Sequence, residues 1–296
     1  MNTQALLVLL FVASALAFGQ TAPVDGPVSQ IVQITVHGGG GFGSDVAMTA
    51  EVFKPDGDGP FPVVLYSHGR AATDVERREM KVPILLGHVR YWMRKGFAVV
   101  APIRPGYGIT GGADREFTGA RYDQFGNCTG RPNLAAPTRN AVVSTTAALD
   151  WVRTQKWADA QRTLLVGTSM GGLISVATAA ANPPGVVGYI NFAGGAGGDP
   201  ARAPGKSCGV DVMEALMREF GKTTQVPGLW LYAQNDLYWG AEAPRVWHAA
   251  YVQGGATRTQ FVQTDPVPDA DGHLLLARGG KLWSVHTDKF VKELGF

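Results

Sequence analysis

The stretch Leu164-Leu165-Val166-Gly167-Thr168-Ser169-Met170-Gly171-Gly172 constrains this chain more than any other. Arg162–Val166 reads as a short buried strand, and Leu173, Val176, Ala177 and Ala180 then recur at helical spacing. Between them sits a G-x-S-x-G sequence, so a strand must pass into a helix through a sharp turn. A Cβ on either flank would crowd that turn, which is why glycines stand there. A serine at its apex has its hydroxyl lifted out of the sheet edge, within reach of a base.

The rest of the chain alternates in the same way. Gln30–Val36 has the apolar–polar alternation of an edge strand, and His37–Asp45 is a glycine-rich turn. Val46–Phe53 is a second strand, ended by Pro55-Asp56-Gly57. Phe61–Tyr66 is a continuous apolar run of the kind found in central strands. A helix over Ile84–Arg94, a strand over Phe97–Pro102 and a helix over Thr138–Thr154 follow, the last with Thr138 as N-cap and Val142, Leu149 and Val152 facing inward. Beyond the serine, strands are expected at Val186–Phe192, Gly228–Tyr232 and Thr259–Gln263, with helices at Val210–Phe220, Ala243–Tyr251 and Lys281–Leu294. Two early strands followed by β-α alternation predict an α/β protein: an antiparallel start, then a mostly parallel central sheet with helices on both faces. No long helical insertion calls for a large cap domain. Gly106–Pro137 and Gly194–Cys208 are the longest irregular stretches and are expected to border a pocket.

The apolar fraction of 45% supports a sizeable core, and a net charge of +2 with scattered Lys and Arg argues against nucleic acid as a partner. Ala5–Phe18 is too short to span a membrane comfortably and reads as the apolar region of a signal peptide, although Met1–Gln4 carries no Lys or Arg. Cleavage is expected near residue 19, leaving 20–296 as one catalytic domain. No Cys follows that region, so no stable lipid anchor is expected. An exported protein meets an oxidising compartment, and the two cysteines, Cys128 and Cys208, are a disulfide candidate. Asn127-Cys128-Thr129 is formally a glycosylation sequon. Oligomeric state is not legible.

A serine hydroxyl is a poor nucleophile until a base takes its proton and a carboxylate orients that base. Where a serine sits on a turn of this kind, acid and histidine follow it in chain order. Three histidines follow Ser169: His248 and His286 within expected helices, and His273 in the loop Asp269-Ala270-Asp271-Gly272-His273. A loop histidine can swing over the sheet edge, which selects His273. Asp236 ends the apolar strand before it and lies on the same sheet edge as Ser169. Asp265, Asp269 and Asp271 are too close to His273 to come from a separate strand. Acyl transfer also needs oxyanion donors. One is the Met170 amide. The other is the Arg70 amide in Tyr66-Ser67-His68-Gly69-Arg70, after the third strand, with His68 shaping that loop. The run His37-Gly38-Gly39-Gly40-Gly41 matches a lipase-type oxyanion signature superficially, but its place after the first strand puts it at a hairpin tip.

Tyr66-Ser67-His68-Gly69, Arg104-Pro105-Gly106-Tyr107-Gly108, Gly167–Gly172, Asn235-Asp236 and Asp271-Gly272-His273 together resemble the α/β-hydrolase superfamily, and more narrowly its dienelactone-hydrolase-like branch of esterases. The chain departs from dienelactone hydrolase itself, whose nucleophile is a cysteine where Ser169 stands here, which favours ordinary esters. The resemblance implies a secreted serine esterase: Ser169 attacks an ester carbonyl, His273 takes its proton, Asp236 holds His273, and the Arg70 and Met170 amides bind the oxyanion. Such a mechanism requires no cofactor, and no Cys/His/Asp spacing points to a metal site. Tyr107, Tyr238 and Trp239 are candidate pocket-lining residues for a small-molecule or polymeric ester. A prolyl-oligopeptidase-like serine peptidase and a non-catalytic hydrolase-fold binding protein are the alternatives.

Overall fold

The structure, a computed structural model, describes residues 27–296. The signal-peptide expectation lies outside the described residues. An antiparallel hairpin of β1 (Ser29–Val36) and β2 (Val46–Phe53) opens the chain, followed by β3 (Phe61–Ser67). Helices α1 (Asp74–Glu79) and α2 (Leu86–Met93) lead to β4 (Ala98–Pro102), and α3 (Ala135–Arg153) leads to β5 (Ala158–Thr168). From there α4 (Met170–Ala180), β6 (Val186–Phe192), α5 (Val210–Gly221), β7 (Gly228–Ala233), α6 (Ala243–Gly254) and β8 (Thr259–Thr264) alternate. The short α7 (Leu275–Arg278) and α8 (Gly280–Glu293) close the described chain.

These strands form one sheet in the order β1-β2-β4-β3-β5-β6-β7-β8. β2 pairs antiparallel with β1 and β4, and every pairing from β4 to β8 is parallel. The order reverses at β3: β4 returns to one side of it and β5 crosses to the other. The loops after β3 and β5 therefore emerge side by side at the carboxyl edge, where open α/β sheets place their ligands. Ser67 is in register with Gly167, so the residues just beyond them face one another across that crevice.

Both faces of the central strands are buried, and their residues alternate between the two faces. Val63, Leu65 and Leu165 pack with Leu149, Leu173, Ile174, Met213 and Trp247 on the α3–α6 side. Val64, Tyr66, Leu164 and Val166 pack with Val89, Trp92, Trp283 and Phe290 on the α2–α8 side. This is why the central strands read as unbroken apolar runs.

Three local expectations need correction. The helix α3 begins at Ala135, three residues before Thr138, and Thr138 lies inside it with its hydroxyl donating to Leu134 O. Pro137 falls in the first turn, where a missing N–H costs no intrahelical bond, so it does not delay the helix. The inward face of α3 is carried by Ala141, Ala148, Leu149 and Val152, with Val142 only half-buried. The unexpected α1 carries a capping box, Thr73 with Glu76, a signal present in its T-x-x-E sequence. No helix among the described residues is long and apolar enough to cross a membrane.

Candidate active site

Ser169 joins β5 to α4 with φ 54° and ψ −125°, a conformation that an L residue keeps only when its surroundings enforce it. Its N–H donates to Phe192 O at 2.9 Å, and its carbonyl accepts from Gly172 N at 2.9 Å and Gly195 N at 3.2 Å. The flanking glycines are steric requirements. A Cβ on Gly167 would lie 2.1 Å from Gly171 O, and one on Gly171 would lie 1.9 Å from Ser67 O.

Asp236, three residues past β7, is buried, and its two carboxylate oxygens divide their work. Oδ1 accepts the amides of Tyr238 (2.8 Å) and Trp239 (3.1 Å), closing the turn, while Oδ2 faces His273 Nδ1 at 3.1 Å. The capping use of Asp236 and its contact with histidine thus coexist. The His273 ring stacks on Tyr238 with centroids 3.9 Å apart and meets the edge of Trp239. Asp271 holds the loop, its Oδ1 accepting the amides of His273 and Leu237. Gly272 fits against Asn235 and Asp236, where a Cβ would come within 2.5 Å of Asp236 N. With Asp236 ionised, Nδ1 carries the ring proton and Nε2 is left as the basic nitrogen, an assignment made from the hydrogen bonds. Among the described residues neither His273 Nε2 nor Ser169 Oγ has a hydrogen-bond partner, and the two are not bonded to each other.

Beside Ser169 runs the loop after β3. A Cβ on Gly69 would lie 3.3 Å from Ser169 Cβ, which puts Gly69 against the serine. The amides of Arg70 and Met170 have no acceptor among the described residues. His68 is buried behind the loop. Its Nδ1 donates to Gly69 O at 2.7 Å, and its Nε2 accepts the Arg104 amide at 3.2 Å. Burial, reinforced by the Arg104 charge, holds its pKa well below the ordinary value, so the ring is neutral. The run His37–Gly41 lies between β1 and β2, with β2, β4 and β3 between β1 and the serine strand; Arg115 ties its carbonyls down.

Ser169 and Met170 open into a cavity of about 740 Å³. Phe117 and Tyr122 from the segment after β4, Gly195–Arg202 from the segment after β6, and Tyr238 and Trp239 line it. Both long irregular stretches border the pocket, as expected, and the disulfide Cys128–Cys208 joins them. Tyr122 adds a second tie, its hydroxyl donating to Gly197 O at 2.6 Å. Tyr238 and Trp239 are lining residues, but Tyr107 is not. It is 1% exposed and its hydroxyl donates to Glu116 Oε2 at 2.7 Å, because the turn after β4 folds the ring under the loop against His68. His248 and His286 stand in α6 and α8, away from the lining. Burial pushes His248 down to about 4.

Sequence reasoning named Arg70 and Arg104 but missed their acidic partners, Asp114 and Glu116. Arg104 and Glu116 form a buried pair (2.5 and 3.0 Å), and Arg70 forms a bidentate pair with Asp114. Nothing in residue spacing pointed to Asp114 or Glu116, since both lie in an irregular segment.

No family model matches this chain, and no curated protein sequence does. Solved structures do match. A protein named as a dienelactone hydrolase from Klebsiella pneumoniae superposes with a TM-score of 0.52 at 17% identity, covering 90% of this chain and 98% of the other. An acetyl xylan esterase from Paenibacillus sp. R4 gives 0.58 at 17% identity, covering 93% and 86%. The acylaminoacyl peptidase of Pyrococcus horikoshii gives 0.60 at 14% identity, covering 92% of this chain but only 42% of the peptidase. With the sheet order and the strand–serine–helix turn, these likenesses give the chain the α/β-hydrolase fold.

Proposed function

We propose, from the α/β-hydrolase fold as premise, that this chain is a serine hydrolase that cleaves carboxylic esters through Ser169, His273 and Asp236. The observation that carries this reading is the Asp236–His273 contact at the same sheet edge as a strained serine flanked by two unpartnered amides. As Ser169 Oγ adds to the ester carbonyl, His273 Nε2 takes its proton, and Asp236 stabilises the imidazolium through Nδ1–H. The Arg70 and Met170 amides receive the oxyanion; each such donor is worth about 10²–10³ in rate. The imidazolium then protonates the leaving alcohol. Water, activated by the same ring, frees the acyl-enzyme.

The ester is a small molecule or a group on a polymer, bound in the cavity beside Tyr238 and Trp239. An expected N-terminal leader together with the Cys128–Cys208 bridge favours an exported protein. Hydrolysis of p-nitrophenyl acetate and butyrate, with fluorophosphonate labelling, tests the reading. Activity and label should both vanish in Ser169→Ala, and undiminished hydrolysis by that variant would sink the assignment. The peptidase likeness makes amide cleavage the second reading, and aminoacyl p-nitroanilides separate the two.

A further inference from the structure

Resting on the reading of Ser169 as nucleophile, we propose that Arg104 and Glu116 are positioning residues that orient the Gly69–Arg70 peptide toward the oxyanion. The argument starts from that peptide. Its carbonyl is held by His68 Nδ1–H at 2.7 Å, and its N–H, one residue beyond the Gly69 that packs on Ser169, has no acceptor among the described residues. A hydrogen bond to the carbonyl of a peptide unit fixes its plane and polarises its N–H. The buried His68 ring is neutral and carries one proton, so it donates from Nδ1 only in the tautomer that leaves Nε2 bare, and the Arg104 amide donating to Nε2 enforces that tautomer.

The Arg104 side chain completes the brace. Its Nη1 donates to His68 O at 2.8 Å, while Nε and Nη2 are held by the two Glu116 oxygens. Glu116 also accepts from the Tyr107 hydroxyl, and its amide donates to Asp114 Oδ1 at 2.9 Å. Asp114 in turn grips the Arg70 guanidinium, whose hydrogen bonds hold the Asp114 carboxyl below its usual range. His68, Gly69 and Arg70 are thus each tied, directly or through His68, to residues 104–116. A buried ion pair is a poor source of net stability, because desolvation offsets its attraction. What it supplies here is a single orientation: one chain of donors ends on Gly69 O and the other on His68 O, the two successive carbonyls that lead into the Arg70 amide.

Glu116→Gln and Arg104→Lys, each in the full chain, test this with Asp114→Asn as a milder third variant. The readouts are kcat and KM for p-nitrophenyl butyrate and Ki for an aryl trifluoromethyl ketone, whose hemiketal oxygen occupies the oxyanion position. With a misplaced donor, kcat falls about 10- to 100-fold, KM stays within about twofold, and Ki rises in step with the loss of kcat. Arg104→Lys, which keeps charge but loses the fork, should not rescue. Lower melting temperatures with unchanged kcat and Ki in folded variants would overturn the proposal, and so would a Ki unmoved while kcat falls. If Glu116→Gln and Arg104→Lys fail to fold, the decision passes to Asp114→Asn, where an unchanged kcat and Ki would overturn it. Wild-type protein that takes no fluorophosphonate label would instead remove the serine-hydrolase reading itself.

Discussion

Replacing Gly171 by alanine sets two effects of opposite sign against each other. Alanine is favoured over glycine in a helix by about 1 kcal/mol, so propensity alone predicts stabilisation. Sterics predict the reverse: the new Cβ would stand 1.9 Å from Ser67 O and 2.5 Å from His68 O. Restoring ordinary contact requires a separation of more than about 1 Å between the start of α4 and the end of β3, and overpacking of this kind costs about 1–3 kcal/mol. Neither element can yield easily. Every residue of α4 is buried, and Ser67 is locked in register with Gly167. The displacement falls on Ser169 and on the loop carrying the Arg70 amide, and a misplacement of about 1 Å is worth about a hundredfold in rate. The assay is kcat/KM on p-nitrophenyl acetate with thermal unfolding, using Gly87→Ala as control. Gly87 lies in α2 with nothing within 4 Å of a Cβ, so that variant should keep full activity and gain up to about 1 kcal/mol. A Gly171→Ala protein with wild-type rate and melting temperature would refute the reasoning.

Other outcomes can be measured on the same protein. Asp236→Asn keeps an Oδ1 acceptor for the Tyr238 and Trp239 amides, so it should fold, yet lose about 10⁴ in kcat because the amide favours the wrong His273 tautomer; a loss under tenfold in steady-state kinetics would contradict the role of Asp236. Removing the bridge with Cys128→Ala/Cys208→Ala opens an 80-residue loop, and the chain-entropy relation puts the cost at up to about 4.5 kcal/mol in urea unfolding. His68 is held well below its ordinary pKa and His88 is pushed down to about 3, both mainly by burial, so both rings are neutral in the folded protein. Their contribution is fully present above about pH 6.5 and is lost as the pH falls, approaching about 1.4 kcal/mol per unit for each ring. Urea midpoints between pH 7 and pH 4.5 should therefore fall with acid, and His88→Leu should flatten the slope by about one proton.

What the sequence determined by itself is what short-range physics encodes. Short apolar runs bounded by turn residues marked the limits of β2 and β6 as the structure has them, because most residues of both strands are buried and only turn formers interrupt the run. The glycines around Ser169, and the loop places of Asp236 and His273 after successive strands, were readable because a strand-to-helix turn leaves its mark within a few residues. Tertiary structure decided what depends on distant segments meeting. The insertion of β4 between β2 and β3 makes the crevice, and no local pattern states a pairing order. Tyr107 looked like a pocket residue, yet it turns inward to Glu116, since an irregular segment has no periodicity to tell which way a ring points. The Arg104–Glu116 and Arg70–Asp114 pairs became visible only once residues 104–116 were folded behind the loop after β3, because partners that belong to no repeating element are chosen by the packed whole.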